Sequence, residues 1–472
     1  MRTSLADERE EQRRWKLRRG LEGTRVFDRM VENEFRAPDA LAAATDTALA
    51  WVVAQAVATV PYYAGLFRRL GLVPGDIAST ADLPRLPVLS KETLRRHVAA
   101  LRSRRLPDGE RVRGWFVSSG TTGEPTRVLH TERSNRMFTY LVQRHYRWFR
   151  FDPMGCLAIV RPPHSLPPGR DGRPHGHDAT GRQGTWRYVG SFFRTGPLVY
   201  ASASLPAERL LDWLAEQRPD YLQSYSETLE QLALACDGAW PLPSIRGFQA
   251  IAQQLTPSMR HRVESTARAP VHQAYGLNEV GMVAVRCMAG RYHVHAEHCI
   301  VEIVDAAGQP VPAGTTGHVV VTGLKNPAMP LPRYDTGDLA EAVEGPCPCG
   351  RTLPSFGEIQ GRYSRIASLP EGTAPLVRAF RELVGHLPAS VLAGLRQYQL
   401  HQFRDGTFEL RLVTAGEPTA ALLAAFDRAW HESGGAAFSL RVVRVESIPL
   451  STGGKFQDFT SDFMPAPTDR NA

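Results

Sequence analysis
Apolar residues recur at helical spacing through ALAAATDTALAWVVAQAVATV, and residues 1–105 read as mostly helix. Proline punctuates VPYYAGLF and DLPRLPVLSKETLRRH, where Ser90 and Thr93 mark the start of the next helix. RVRGWFVSS, residues 111–119, reads as a strand running into a Gly/Thr-rich loop. From residue 188 to about 285, β-type runs such as PLVYASASL and DYLQSYS alternate with helical patterns such as AERLLDWLAEQ. That alternation predicts a layered α/β architecture. Residues 292–343 are richer in strand, and a linker falls near 350–365. Strands at 396–413 and 437–446 then flank a helix at 417–433. The expected chain is α/β: a large N-terminal domain of mixed sheets and helices, residues 1–361, and a small mobile α+β C-terminal domain, residues 362–472. No internal repeat is found.

Composition narrows the class. Of 472 residues, 43% are hydrophobic and 22% charged, as in a soluble globular protein. No run of 18 apolar residues occurs, so no membrane span is expected. No apolar segment follows the charges of MRTSLADEREEQRRWKLRRG, so no secretory signal is expected and the location predicted is cytoplasmic. The net charge is +8, and of 56 basic residues only Lys16, Lys91, Lys325 and Lys455 are lysine, leaving 52 arginines. Apart from an N-terminal cluster the arginines are scattered, and no nucleic-acid motif accompanies them, so we read a compositional bias and expect no nucleic-acid partner. The rarity of lysine makes each one a candidate for more than surface filling. Residues 162–186, rich in Pro, Gly and His, read as a long exposed loop, a lid or an insertion. Its His164, His175 and His177 read as solvated loop histidines rather than metal ligands.

The first candidate chemistry is Ser118, Ser119, Gly120, Thr121, Thr122, Gly123, Glu124, Pro125 and Thr126, following an apolar strand. Glycines let backbone N–H groups close on an anion, and hydroxyls add donors, so the loop suits phosphate. An ordinary Ser/Thr/Gly turn is the competing reading. No Gly-Lys-Ser/Thr follows, so this is not the P-loop of NTPases.

SSGTTGEPT resembles the phosphate loop of the acyl-adenylate-forming superfamily, the group of acyl-CoA synthetases, peptide-synthetase adenylation domains and luciferases. Further motifs follow in order. Tyr275-Gly276-Leu277-Asn278-Glu279 resembles the second core motif, which implies Tyr275 near adenine and Glu279 holding Mg²⁺, with Asn278 where Thr is usual. Tyr334-Asp335-Thr336-Gly337-Asp338-Leu339 resembles the third, which implies that Asp338 accepts from both ribose hydroxyls; Asp335 stands where Arg is frequent. Gly361-Arg362 resembles the hinge motif, placing Arg362 near ribose or phosphate. Ile448-Pro449-Leu450-Ser451-Thr452-Gly453-Gly454-Lys455 resembles the catalytic-lysine loop, where Lys455 bridges substrate carboxylate and α-phosphate. The implied catalytic residues are Lys455, Glu279 and Arg362.

VPYYAGLFRRLGLVPGDIASTADLPRLPVLSKETLR and PCPCGRTLPSFGEIQGR, residues 346–362, resemble the phenylacetate–CoA ligase branch. Some members of that branch carry a structural zinc near this Cys pair. The matching residues are Cys287, His293, Cys347 and Cys349, a Cys₃His set suited to Zn²⁺. His295, two residues beyond His293, is the rival ligand if both lie on one strand. Four residues without metal is the remaining alternative.

Ser364 stands where thioester-forming members carry a hinge acid, and the next segment is Pro/Gly-rich. The acid pocket is expected between Ser224–Glu227, Gln249–Gln254 and Gln273–Gly276, with Ala252-Gln253-Gln254 where relatives tend to carry Gly/Ala and Glu. A polar floor there favours a substituted aryl acid. The expected reaction is ATP-dependent adenylation of a small acid, then transfer to a thiol, either CoA or a carrier protein. An amine acceptor, activation of nitrite to modify an aryl amine, and a degenerate nucleotide-binding protein are the other readings. A monomer or homodimer is expected.

Overall fold
Runs such as Leu157–Arg161 and Leu198–Ser202 have almost no polar positions because both faces of their sheet are covered by helices. The computed structural model describes residues 21–117, 125–167, 175–236, 240–362, 369–370, 372–388, 390–449 and 457–463. After the helices Leu21–Glu32, Pro38–Thr59 and Pro61–Leu70, β1 (Val112–Val117) and β2 (Arg127–Thr131) form an antiparallel hairpin that pairs Val117 with Arg127. The main sheet then takes β3 (Leu157–Arg161), β4 (Thr180–Gln183), β5 (Leu198–Ser202), β6 (Tyr221–Tyr225) and β7 (Gly247–Ile251). It continues through β8 (Val271–Leu277), β9 (Gly281–Arg286) and β10 (Tyr292–Val294). A second sheet takes β11 (Cys299–Val304), β12 (Thr316–Gly323) and β13 (Tyr334–Glu341). The two-residue β14 (Ser355–Phe356) returns to the edge of the main sheet, and β15 (Ile359–Arg362) completes the second.

The main sheet runs β14-β10-β9-β8-β7-β6-β3-β5-β4. Its middle strands, β5, β3, β6, β7 and β8, are parallel. One face packs Leu157, Ile159 and Tyr221 on the helix Glu132–Trp148 through Leu141 and Tyr146. The other packs Ala158, Val160 and Leu222 on the helices Ala207–Gln217, Ser226–Ala235 and Pro257–Ala267. In open α/β sheets of this kind ligands bind beyond the carboxyl ends of the parallel strands.

After Thr373 the chain builds a separate sheet of β16 (Leu395–Gln402), β17 (Phe408–Thr414), β18 (Leu440–Arg444) and β19 (Phe459–Ser461), ordered β18-β17-β16-β19. The helices Thr373–Gly385 and Ala420–Glu432 pack on it. Leu234, from the larger part, enters this core, and the Arg262 guanidinium donates to the Val384 carbonyl at 3.0 Å.

One expectation needs correction. Residues 162–186 are not simply an exposed loop: β4 lies within them, and Trp186 is 1% exposed and donates from Nε1 to the Gly155 carbonyl at 3.0 Å. The helix Pro38–Thr59 is long and apolar enough to cross a membrane, with a mean hydropathy of 1.4 over its most apolar stretch. It buries Leu49, Val52 and Val53 against Phe67, Ile77, Leu83 and Leu86, as a core helix does.

Candidate active site
The Gly/Thr loop falls in sequence between β1 and β2. Ser118, Ser119, Gly120, Thr121, Thr122 and Gly123 lie outside the described residues; Thr126, just before β2, is 2% exposed. The base of the hairpin is tied to the Tyr275–Glu279 motif. Asn278 Nδ2 donates to the Val117 carbonyl at 3.3 Å, and the His130 ring on β2 bonds the Asn278 carbonyl through Nε2 at 2.9 Å. Burial holds the His130 imidazole below its ordinary pKa, so it is neutral at pH 7 and acts here as an N–H donor.

Tyr275 lies near the carboxyl end of β8, and Gly276 follows it where β8 bulges against β9. The Tyr275 hydroxyl donates to Asp338 Oδ2 at 2.7 Å, with Asp338 7% exposed. Thr336 turns its hydroxyl to the Val319 carbonyl and receives the Asp338 N–H, which fixes the bend. Gly337 has φ +75°, so the turn suits glycine. Glu279 is 7% exposed, and its Oε1 accepts from the Tyr334 hydroxyl at 2.9 Å. It lines a small cavity with Lys325, Asn326 and His298. Arg362, on β15, pairs by backbone register with Asp338 on β13. Lys455 lies outside the described residues. The structure thus gathers Tyr275, Gly276, Asn278, Glu279 and Asp338 beside the hairpin. The sequence quoted Tyr334 within its motif without seeing that its hydroxyl positions Glu279, and missed His130.

A second cluster forms at the far edge of the main sheet. Cys287 follows β9, His293 lies in β10, and Cys347 and Cys349 lie on the turn before β14. Their ligand atoms all lie within 4.8 Å of one another. The Cys287 and Cys347 sulfurs are 3.7 Å apart and the Cys349 sulfur is 3.3 Å from His293 Nε2. A tetrahedron with Zn–S bonds of about 2.3 Å has edges of about 3.8 Å, so the spacing fits. His293 Nδ1 donates to the Leu353 carbonyl at 3.1 Å, leaving Nε2 as the lone-pair atom. A hydrogen bond from Cys287 lowers the Cys349 thiol, while that same bond and burial raise Cys287.

His295 is not a ligand of this cluster. β10 ends at Val294, and the Ala296 N–H turns back to the Val294 carbonyl at 3.0 Å, so the two histidines do not share a strand face. The His295 ring instead bonds His145 Nε2 at 2.8 Å and Arg144 Nη1 at 3.1 Å. Arg144 is wholly buried and paired with Glu34 and Glu297. Of the loop histidines, His175 bonds the Pro167 carbonyl and His177 the Ser204 hydroxyl.

A family model described as "AMP-binding enzyme" matches residues 76–326. The phenylacetate-coenzyme A ligase of Thermus thermophilus is 28% identical over 382 residues, covering 76% of this chain and 77% of that protein. The phenylacetate-coenzyme A ligase of Escherichia coli is 27% identical over 333 residues, covering 69% and 71%. Among solved structures, 2-hydroxyisobutyryl-CoA ligase in its postadenylation state with 2-HIB-AMP aligns with a TM-score of 0.67 at 19% identity over 89% of each chain. That likeness shows a common fold.

Proposed function
Since the chain belongs to the AMP-binding enzyme family, in the phenylacetate–CoA ligase-like branch of the acyl-adenylate-forming superfamily, we propose that it adenylates a small aryl carboxylic acid and passes the acyl group to CoA. It is an adenylate-forming ligase. The observation that supports adenylation is the Tyr275–Asp338 hydrogen bond, which holds a buried carboxylate beside the motif tied to the hairpin.

In this reading the ATP phosphates lie on residues 118–126. Asp338 accepts from the ribose hydroxyls, its geometry held by Tyr275 and by the Thr336 turn. Glu279 is the residue that would hold Mg²⁺, which neutralises phosphate charge; its burial and its bond from Tyr334 keep the carboxylate fixed. The acid's carboxylate oxygen attacks the α-phosphorus, the bond from that phosphorus to the bridging oxygen breaks, and pyrophosphate leaves. Lys455 steadies the charge that develops. The small C-terminal domain then turns about residues near 362–364, and the thiol displaces AMP.

CoA as acceptor is supported by the names of the relatives. An amine, a carrier-protein thiol or nitrite as a partner would leave pyrophosphate release independent of CoA. The test is acid-dependent pyrophosphate release from MgATP, with and without CoA. For Cys287, His293, Cys347 and Cys349 we propose a structural zinc, supported by the tetrahedral spacing and by the His293–Leu353 bond.

A further inference from the structure
Three buried glutamines interrupt the apolar face of the main sheet. Gln223 on β6 faces Gln249 on β7 in register and donates to it, and Gln273 on β8 accepts from the Tyr292 hydroxyl at 2.7 Å. At the end of this polar row stands Arg161, the last residue of β3, whose Nη2 donates to Gln223 Oε1. The Gln223 amide is in turn aimed by its bonds to Gln249 and to the Tyr146 hydroxyl. Arg161 is partly buried, and its Nε is shut off from water without a hydrogen-bond partner. Among the described residues it makes no ion pair.

A second guanidinium is tied to the segment that follows Arg161. Arg187 donates to the Ser165 carbonyl at 2.5 Å and sits 4.8 Å from the centre of the Tyr188 ring. It too makes no ion pair among the described residues. Burial and the neighbouring Arg161 charge both disfavour its proton. Tyr188 has φ +68° and ψ −61°, a backbone strain that a non-glycine residue carries when the surroundings impose it. Tyr225, at the end of β6, has its phenol raised by burial, an effect the Arg161 charge opposes. Two guanidiniums on neighbouring segments, each partly buried and without an ion pair among the described residues, suit an anion.

The sheet order says which anion. Arg161 ends β3, and β6 and β7 separate β3 from β8, which carries Tyr275 and Gly276. Three strand spacings place them roughly 14 Å apart across the sheet. Arg161 therefore stands at the opposite end of the acid-binding strip from the adenylation centre, too far to hold the carboxylate that reacts. Resting on the adenylation reading, the geometry points to an acid with a second anionic group: Arg161, with Arg187, recognises the distal carboxylate of an aromatic dicarboxylate. The planar guanidinium suits bidentate carboxylate recognition.

The test uses the full chain and benzoates and phenylacetates bearing a carboxylate at ring position 3 or 4, each against its methyl isostere. Binding is measured by calorimetry with the non-hydrolysable α,β-methylene analogue of ATP present, and turnover by pyrophosphate release from MgATP. The expected result is at least tenfold tighter binding of one dicarboxylate than of its methyl isostere. Arg161→Gln should erase that preference and Arg161→Lys should retain part of it, both with unchanged affinity for the ATP analogue. If Arg161→Gln does not fold, Arg187→Gln is read in the same way. Equal or tighter binding of the methyl isosteres, with pyrophosphate released from them, overturns the inference and leaves adenylation standing. A dicarboxylate preference erased in Arg161→Gln, without pyrophosphate release from any acid, supports the anion site and overturns the adenylation reading.

Discussion
The Tyr275 hydroxyl donates to Asp338 Oδ2 at 2.7 Å, joining β8 of the main sheet to β13 of the second. The bond crosses between sheets at the place where a ribose is expected. Tyr275→Phe removes one hydrogen bond to a charged acceptor, about 1.5–3 kcal/mol at most. We expect the KM for ATP to rise about three- to tenfold with the fold intact. Asp338→Ala should raise it about tenfold to a hundredfold. Steady-state kinetics with saturating acid checks both, and an unchanged KM for ATP in Asp338→Ala contradicts the ribose assignment.

The Cys/His cluster predicts one zinc per chain. Structural zinc contributes to folding directly, so stripping it with a strong chelator should lower the melting temperature by roughly 5–10 °C. Cys349→Ala should do the same and abolish zinc retention. Metal analysis and thermal unfolding read the outcome. Protein without zinc, whose melting is indifferent to chelator, contradicts the assignment.

Buried neutral histidines set an acid limit to stability. Burial lowers His272 and His145 to about 3 and His298 to about 4 from the ordinary 6.5. The unfolded chain binds protons below 6.5 while the native one does not. The stabilising effect is therefore complete above pH 6.5 and is lost as pH falls toward 4, at up to about 1.4 kcal/mol per pH unit for each group. The melting temperature should decline steeply over that window, and His272→Gln should flatten the decline. A melting temperature constant from pH 7 to 4.5 contradicts it.

Gly385 ends its helix against Ser258, where an added Cβ would lie 1.7 Å from the serine Cβ. Gly385→Ala must push the helices Thr373–Gly385 and Pro257–Ala267 apart, disturbing the Arg262–Val384 bond. Overpacking of this kind costs about 1–3 kcal/mol. Thermal unfolding with limited proteolysis near residue 370 should show a loosened C-terminal part; melting like that of the unaltered chain contradicts a close junction.

How far the sequence could be read follows from what each residue's role depends on. Asp338, Glu279 and the Cys₃His set were singled out by motifs that resemble the family's, and the structure joins Tyr275 to Asp338 and brings the four Cys/His ligand atoms within 4.8 Å of one another. β5 was legible as the apolar run PLVYASASL, whereas β3 was not singled out. His295 misled because its neighbour in sequence suggested a common strand, whereas the chain turns at Ala296 through a backbone bond. Trp186 was hidden by the surrounding Pro and Gly. The Arg144–Glu34–Glu297 network and the Gln223–Gln249–Arg161 row join residues far apart in the chain, and no local pattern announces such pairs.

The most direct test of the account is pyrophosphate release from MgATP across a panel of aryl and alkyl acids, with and without CoA, in the unaltered chain and in Lys455→Ala. The account predicts release that depends on one acid class, a thioester only when CoA is present, and a fall of roughly 10²–10³-fold in the variant. Acid-independent behaviour, or an adenylation rate unchanged in Lys455→Ala, would contradict it.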